Sequence, residues 1–119
     1  MGSNTEYSAV APDRKEIDAL KDATVLEFGT GWCGFCRGAQ PLIAEAFAAY
    51  PQVRHLKIED GPGRPLGRSF RVKLWPTLVF LRDGVELARI VRPGSAAEIA
   101  EALQILGSAS GSGTASRSE

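Results

Sequence analysis

The sequence predicts an α/β domain built on a mixed β-sheet, and three observations carry that expectation. Two apolar runs, Val25–Phe28 and Val53–Ile58, flank a stretch of helical periodicity, which is a βαβ pattern. Thr77–Leu81 and Val85–Val91 are joined by Asp83-Gly84, a tight-hairpin dipeptide. Ser95 then reads as an N-cap, with Glu98 three residues on completing a capping box. A βαβ unit sets its two strands parallel, and a hairpin adds antiparallel ones.

Taken in order, residues 1–12 form a polar N-terminal segment with a short strand expected around Tyr7–Val10. Pro12-Asp13 starts a helix that carries Ile17, Leu20 and Lys21 at helical spacing. The first strand, interrupted by the single acid Glu27, ends at Gly29-Thr30-Gly31. A helix is expected from Cys33 or Gly34 to Tyr50, with Leu42, Ile43, Ala46 and Phe47 as its apolar face. Pro41 lies inside it and should kink it, because proline has no N–H to donate. Gly61–Pro65 is a loop by composition, and a short helix follows, ending near Phe70. The last helix runs to about Leu106, with Ile99, Leu103 and Leu106 facing inward. The domain is therefore expected over 13–106. Residues 107–119 are small and polar and read as a disordered tail.

Composition excludes several functions. The 119 residues carry 14 Lys+Arg against 14 Asp+Glu, so the formal charge is zero. With no basic stripe, neither nucleic acid nor an anionic membrane is an expected partner. No apolar run approaches the ~18–20 residues that span a bilayer. Two cysteines and one histidine cannot fill a four-ligand zinc site from one chain. They are also too few for a disulfide framework. The N-terminus lacks the charged and apolar regions of a signal peptide. A reducing cytoplasm is the expected location, or an exported compartment if a leader once preceded Met1. Nothing in the sequence demands more than a monomer.

The informative segment is Gly31-Trp32-Cys33-Gly34-Phe35-Cys36-Arg37, between a buried strand and a helix start. A Cys-x-x-Cys pair beside a βαβ pattern is a redox signature. At the first helical turn, free N–H groups and the helix dipole favour a thiolate at Cys33. Thiol pKa values in such sites fall to roughly 3.5–7.5. Cys36 lies one turn deeper on the same face, so it can attack a mixed disulfide formed at Cys33. Cys33 is thus the expected nucleophile and Cys36 the resolving thiol. The competing readings are two buried structural cysteines, or half of a metal site shared between chains.

Trp32-Cys33-Gly34-Phe35-Cys36, Pro41, Pro76-Thr77 and Asp83-Gly84, in this order and spacing, resemble the thioredoxin superfamily over about residues 13–106. The resemblance implies helices flanking the sheet and the cysteines at the start of a kinked helix. It implies a cis proline at Pro76, facing the cysteines and excluding metal from them. The backbone before that proline would then be open to a substrate strand. By the same resemblance Glu27 would help deprotonate Cys36 through water, and burial would raise its pKa to suit. The alternative is an acid at a sheet edge in solvent. His55 and Lys57 share a strand face, and one of them could pair with Glu27.

The chain also departs from the family pattern. Phe35 stands where ordinary thioredoxins have proline, which looks more like disulfide isomerases. Gly29 stands where a tryptophan commonly packs beneath the site. Trp75 precedes the proline in place of a smaller residue, and Arg92 sits near a position usually held by glycine. These changes suggest a substrate groove lined by Trp32, Gly34, Phe35, Trp75 and Pro76, with Arg92 at its rim. Alternatively, Trp75 fills the volume vacated at Gly29.

The expected function is reduction of protein or peptide disulfides. It needs no metal or organic cofactor, but it does need an external electron donor. The alternatives are a disulfide isomerase or oxidase of an exported compartment, and a redox-inactive binding module on the same fold.

Overall fold

A computed structural model of the chain describes residues 6–109. The elements are α1 (Arg14–Asp18), β1 (Ala23–Gly29), α2 (Gly34–Phe47), β2 (Arg54–Glu59), α3 (Pro65–Ser69), β3 (Thr77–Arg82), β4 (Val85–Val91) and α4 (Ala96–Ala109). The strands form one mixed sheet in the order β2-β1-β3-β4. β1 runs parallel to β2 and antiparallel to β3, and β3 pairs antiparallel with β4.

β1 is buried along its whole length because it is central and covered on both faces. Its period of two divides its side chains between two cores. Ala23 and Val25 join Leu78, Phe80, Ile43, Ile99 and Leu103 under α2 and α4. Leu26 and Phe28 join Ile17, Ile58, Leu66, Phe70 and Val79 under α1 and α3. Each large apolar side chain buried here contributes about 1.5–3 kcal/mol. Glu27 shares the parity of Ala23 and Val25, so it is turned toward the α2 side.

Local chemistry sets the element ends. Asp13 caps α1, and Asp13 and Glu16 exchange side chain-to-backbone bonds of 2.9 Å in both directions. Ser95 accepts the Glu98 N–H at 3.1 Å, but the Glu98 carboxylate takes its bond from Gly94 rather than from Ser95. The expected box is therefore displaced by one residue. α2 passes through Pro41 but stops at Phe47 instead of Tyr50. Pro51 bars Tyr50 from helical conformation, and the chain leaves α2 through turns in which the Tyr50 N–H donates to Phe47 O and the Val53 N–H to Tyr50 O. α4 outlasts its expected end at Leu106 and reaches Ala109. Extending an existing helix needs no new nucleus, so small polar residues can continue it. The rest of the expected tail lies outside the described residues.

The strand expected around Tyr7–Val10 is a single parallel bridge, Ser8 to Ile58, on the outer edge of β2. Ser8 N–H donates to Lys57 O and Glu59 N–H to Ser8 O, each at 2.9 Å. Pairing stops there because the Ser8 hydroxyl bonds both backbone groups of Val10. In the hairpin, Asp83 and Gly84 both have positive φ, 52° and 81°, as a primed turn requires. A register shift leaves Leu87 as the extra residue between Glu86 and Ala88.

At Gly84 both the backbone conformation and the surrounding backbone oppose a side chain. A Cβ there would lie 2.2 Å from the Asp18 carbonyl oxygen. Gly84→Ala should lower unfolding free energy by about 2 kcal/mol or more, from the left-handed backbone and the clash together. Urea unfolding of the two chains measures it.

Candidate active site

Cys33 is the N-cap of α2, and its sulfur accepts the Cys36 N–H at 3.2 Å. This satisfies one of the free donors of the first turn and leaves the sulfur where the helix dipole favours negative charge. Both cysteines are free thiols. Cys33 retains 8% exposure and Cys36 none, so of the two sulfurs only that of Cys33 is open to solution. Burial, and then the neighbouring Cys33 sulfur, push the Cys36 thiol up to about 12. The Thr30 backbone and the Tyr7 hydroxyl pull it the other way.

Aromatic residues surround the pair. Trp32 and Phe35 are largely exposed. Trp32 meets Trp75 edge to face, with ring centroids 5.7 Å apart. Trp75 Nε1 donates to Asp60 Oδ2 at 2.8 Å. The Trp75–Pro76 peptide is cis. Arg92 ties the two sides together. Its guanidinium lies 3.7 Å from the Phe35 centroid, and its Nε donates to the Trp75 carbonyl at 2.9 Å. Arg92 has φ 54°, the left-handed conformation that glycine adopts without cost. Gly34 is the first residue of α2, and a Cβ there would meet nothing within 4 Å.

Behind the cysteines lies Glu27, which is wholly buried. Burial alone would raise its pKa, the direction expected from sequence. Its partners reverse this. His55 Nε2 lies 2.7 Å from Oε1, Lys57 Nζ donates to Oε2 at 2.8 Å, and Gln40 Nε2 donates to Oε2 at 3.0 Å. The Tyr7 hydroxyl is a fourth partner. Against desolvation, the His55 bond, the Lys57 charge and the Gln40 bond lower the Glu27 pKa to about 2. Glu27 therefore rests ionised at neutral pH, rather than as a carboxyl poised near neutrality. Both His55 and Lys57 pair with it, and His55 also stacks on Phe47, with centroids 4.2 Å apart.

The space beside Gly29 is filled by Tyr7, not by Trp75. A Cβ at Gly29 would lie 2.6 Å from Cys36 Sγ and 3.0 Å from the Tyr7 hydroxyl. Tyr7 and Gln40 are the site residues that sequence reasoning missed. Gln40 could have been found, because it follows Cys36 at i+4 on one helix face and bonds the Cys36 carbonyl at 2.8 Å. For Tyr7 the only signal was one aromatic in a polar segment opposite a vacant glycine.

Among the described residues, no group of three or more His, Cys, Asp or Glu could hold a metal ion. No described helix is long and apolar enough to cross a membrane.

The thioredoxin family model matches residues 9–105. Thioredoxin H-type 1 of Nicotiana tabacum is 34% identical over 71 residues, which is 60% of this chain and 56% of that protein. The chain thus spans little more than half the length of that curated relative. A thioredoxin H-type of Oryza sativa subsp. indica is 30% identical over 72% of this chain and 68% of its own length. Among solved structures, reduced thioredoxin 2 from Pseudomonas aeruginosa PAO1 superposes with a TM-score of 0.80 at 64% identity. That match covers 87% of this chain and 96% of the other.

Because its pKa is depressed, ionised Glu27 stabilises the fold above its ordinary value of 4.5, and that contribution is lost as pH falls toward 2. Glu27→Gln should be less stable than the parent at pH 7, by on the order of 3 kcal/mol. The gap should close on acidification from about pH 4.5 to about pH 2. Urea unfolding of both chains across that range measures it. A gap that stays constant would mean the carboxylate charge is not the stabilising element.

Proposed function

The chain belongs to the thioredoxin family, and from that premise we propose that it is a thiol–disulfide oxidoreductase reducing protein or peptide disulfides through Cys33 and Cys36. One observation carries the reading: a part-exposed sulfur at a helix N-cap with a fully buried second sulfur one turn behind it. Cys33 attacks the substrate disulfide as a thiolate and forms a mixed disulfide. Cys36 attacks Cys33, the substrate leaves as a dithiol, and the pair is left oxidised. An external thiol or reductase returns it to the dithiol, which suits a reducing compartment such as the cytoplasm. The chain acts as a monomer in this scheme.

The substrate enters beside Trp32, Phe35, Trp75 and Pro76, where exposed aromatic surface suits an extended peptide. Arg92 fixes this edge by bonding the Trp75 carbonyl and covering Phe35. Glu27 acts behind the pair as a carboxylate that is ionised at rest and transiently accepts the Cys36 proton. Phe35 between the cysteines favours a second reading, disulfide isomerisation or oxidation, since the intervening residues tune the potential.

Cys36→Ser should accumulate mixed disulfides with substrate through Cys33, seen as reducible adducts by mass spectrometry. Adducts that persist in the Cys33→Ser, Cys36→Ser double variant would overturn the assignment of roles. Titration of the pair against dithiothreitol and glutathione buffers decides direction. A potential near thioredoxin's value of about −270 mV is expected, and one above about −200 mV would mean an oxidant or isomerase.

A further inference from the structure

Cys36 must lose a proton to resolve the mixed disulfide, yet its sulfur is sealed from solvent. The Tyr7 hydroxyl borders the space beside Gly29 that the Cys36 sulfur also borders, lying 3.0 Å and the sulfur 2.6 Å from where a Gly29 Cβ would be, and the Cys33 sulfur and the Thr30 backbone also act on the Cys36 thiol. Of these, only Tyr7 leads on to a base, because its hydroxyl bonds Oε2 of Glu27. Gly29 makes the arrangement possible, since any side chain there would occupy the place where Tyr7 and Cys36 meet. The Ser8–Ile58 bridge anchors the segment that delivers Tyr7.

We propose that Tyr7 is the proton relay of the resolving step, linking Cys36 directly to Glu27. Cys36 Sγ attacks Cys33 Sγ, and the Cys33–substrate S–S bond breaks as the Cys33–Cys36 bond forms. The electron pair leaves on the substrate sulfur. The Cys36 proton passes to the Tyr7 oxygen while the Tyr7 proton passes to Glu27 Oε2. Glu27 then gives the proton up, by the same route or through the adjoining cavity, to the departing thiolate. The low basicity of Glu27 is no obstacle. As the new S–S bond forms, the proton on Cys36 becomes far more acidic than any carboxylic acid, so a weak base suffices.

The surroundings keep the relay directional. Desolvation and the Glu27 charge raise the Tyr7 pKa, so the phenol stays protonated and donates toward the carboxylate. Its oxygen borders the same space beside Gly29 as the Cys36 sulfur. From β2, the Lys57 ammonium lies 4.5 Å from the Tyr7 ring centroid and also holds Glu27 Oε2. His55 holds the other carboxylate oxygen. From α2, Gln40 Nε2 reaches the Tyr7 oxygen at 3.2 Å. Glu6, Arg37 and Glu59 line the adjoining cavity of about 570 Å³, which opens beside Tyr7 and Cys36.

The inference rests on the oxidoreductase reading, and Tyr7→Phe tests it, since phenylalanine keeps the ring and removes the relay. In stopped-flow kinetics with a peptide disulfide, formation of the mixed disulfide at Cys33 should be unchanged. Resolution should slow about 100-fold, the low end of what positioned acid–base groups supply. It should also become steeply dependent on hydroxide, where the parent is nearly flat. A resolution rate and pH profile equal to the parent's would overturn the relay while leaving the oxidoreductase reading intact. A parent chain that neither turns over nor traps substrate in its Cys36→Ser form would overturn both. If Tyr7→Phe does not fold, resolution by the unaltered chain is measured in D₂O. Two protons in flight require a slower rate there, and an equal or faster rate overturns the relay.

Discussion

The site is organised by one buried negative charge. Glu27 sits in the middle of the central strand with no exposure, and a lone carboxylate there would be untenable. It is held because four other side chains converge on it, from β2, from α2 and from the N-terminal segment. Breaking a buried pair by removing one partner strands the other, so these elements are locked in mutual register. Parallel pairing places Lys57 directly opposite Glu27 and His55 two residues earlier on the same face. The cysteine pair is thus mounted on an electrostatic clamp rather than on apolar packing alone.

The two cysteines differ because the chain treats them differently. Cys33 ends a loop and begins a helix, so its sulfur serves as a cap at the protein surface. Cys36 is inside the first turn, facing the sheet, where desolvation favours the neutral thiol. One sequence spacing therefore yields a part-exposed sulfur and a sealed one. Arg92 adds a further constraint, since its left-handed backbone lets one side chain bridge the Trp75 carbonyl and the Phe35 ring.

Periodicity revealed the strands and the inward faces of α2 and α4, because burial repeats at fixed intervals along the chain, and the Asp83-Gly84 dipeptide revealed the hairpin turn. The cysteine pair was readable because its chemistry depends on spacing at a strand-to-helix junction. The carboxylate was located correctly but its charge state was not. Burial can be inferred from an acid within Val25–Phe28, whereas four convergent partners cannot. Tyr7 was invisible for the same reason. Its contact with Glu27 spans 20 residues and depends on a two-bond attachment to a strand edge. The glycine at position 29 is legible as a vacancy, but proximity along the sequence gives no means of choosing Tyr7 over Trp75 to fill it.

The attachment at Ser8 bears on how this fold can be excised and reused. Family similarity begins at residue 9, and helical structure at Arg14. A domain trimmed to either landmark would keep the sheet, the helices and both cysteines. It would lose the phenol at position 7 and open the carboxylate to solvent. Grafts or fusions built on the conventional boundary would therefore carry the visible motif without its innermost polar partner. The boundary of the chemistry lies upstream of the boundary of the recognisable fold.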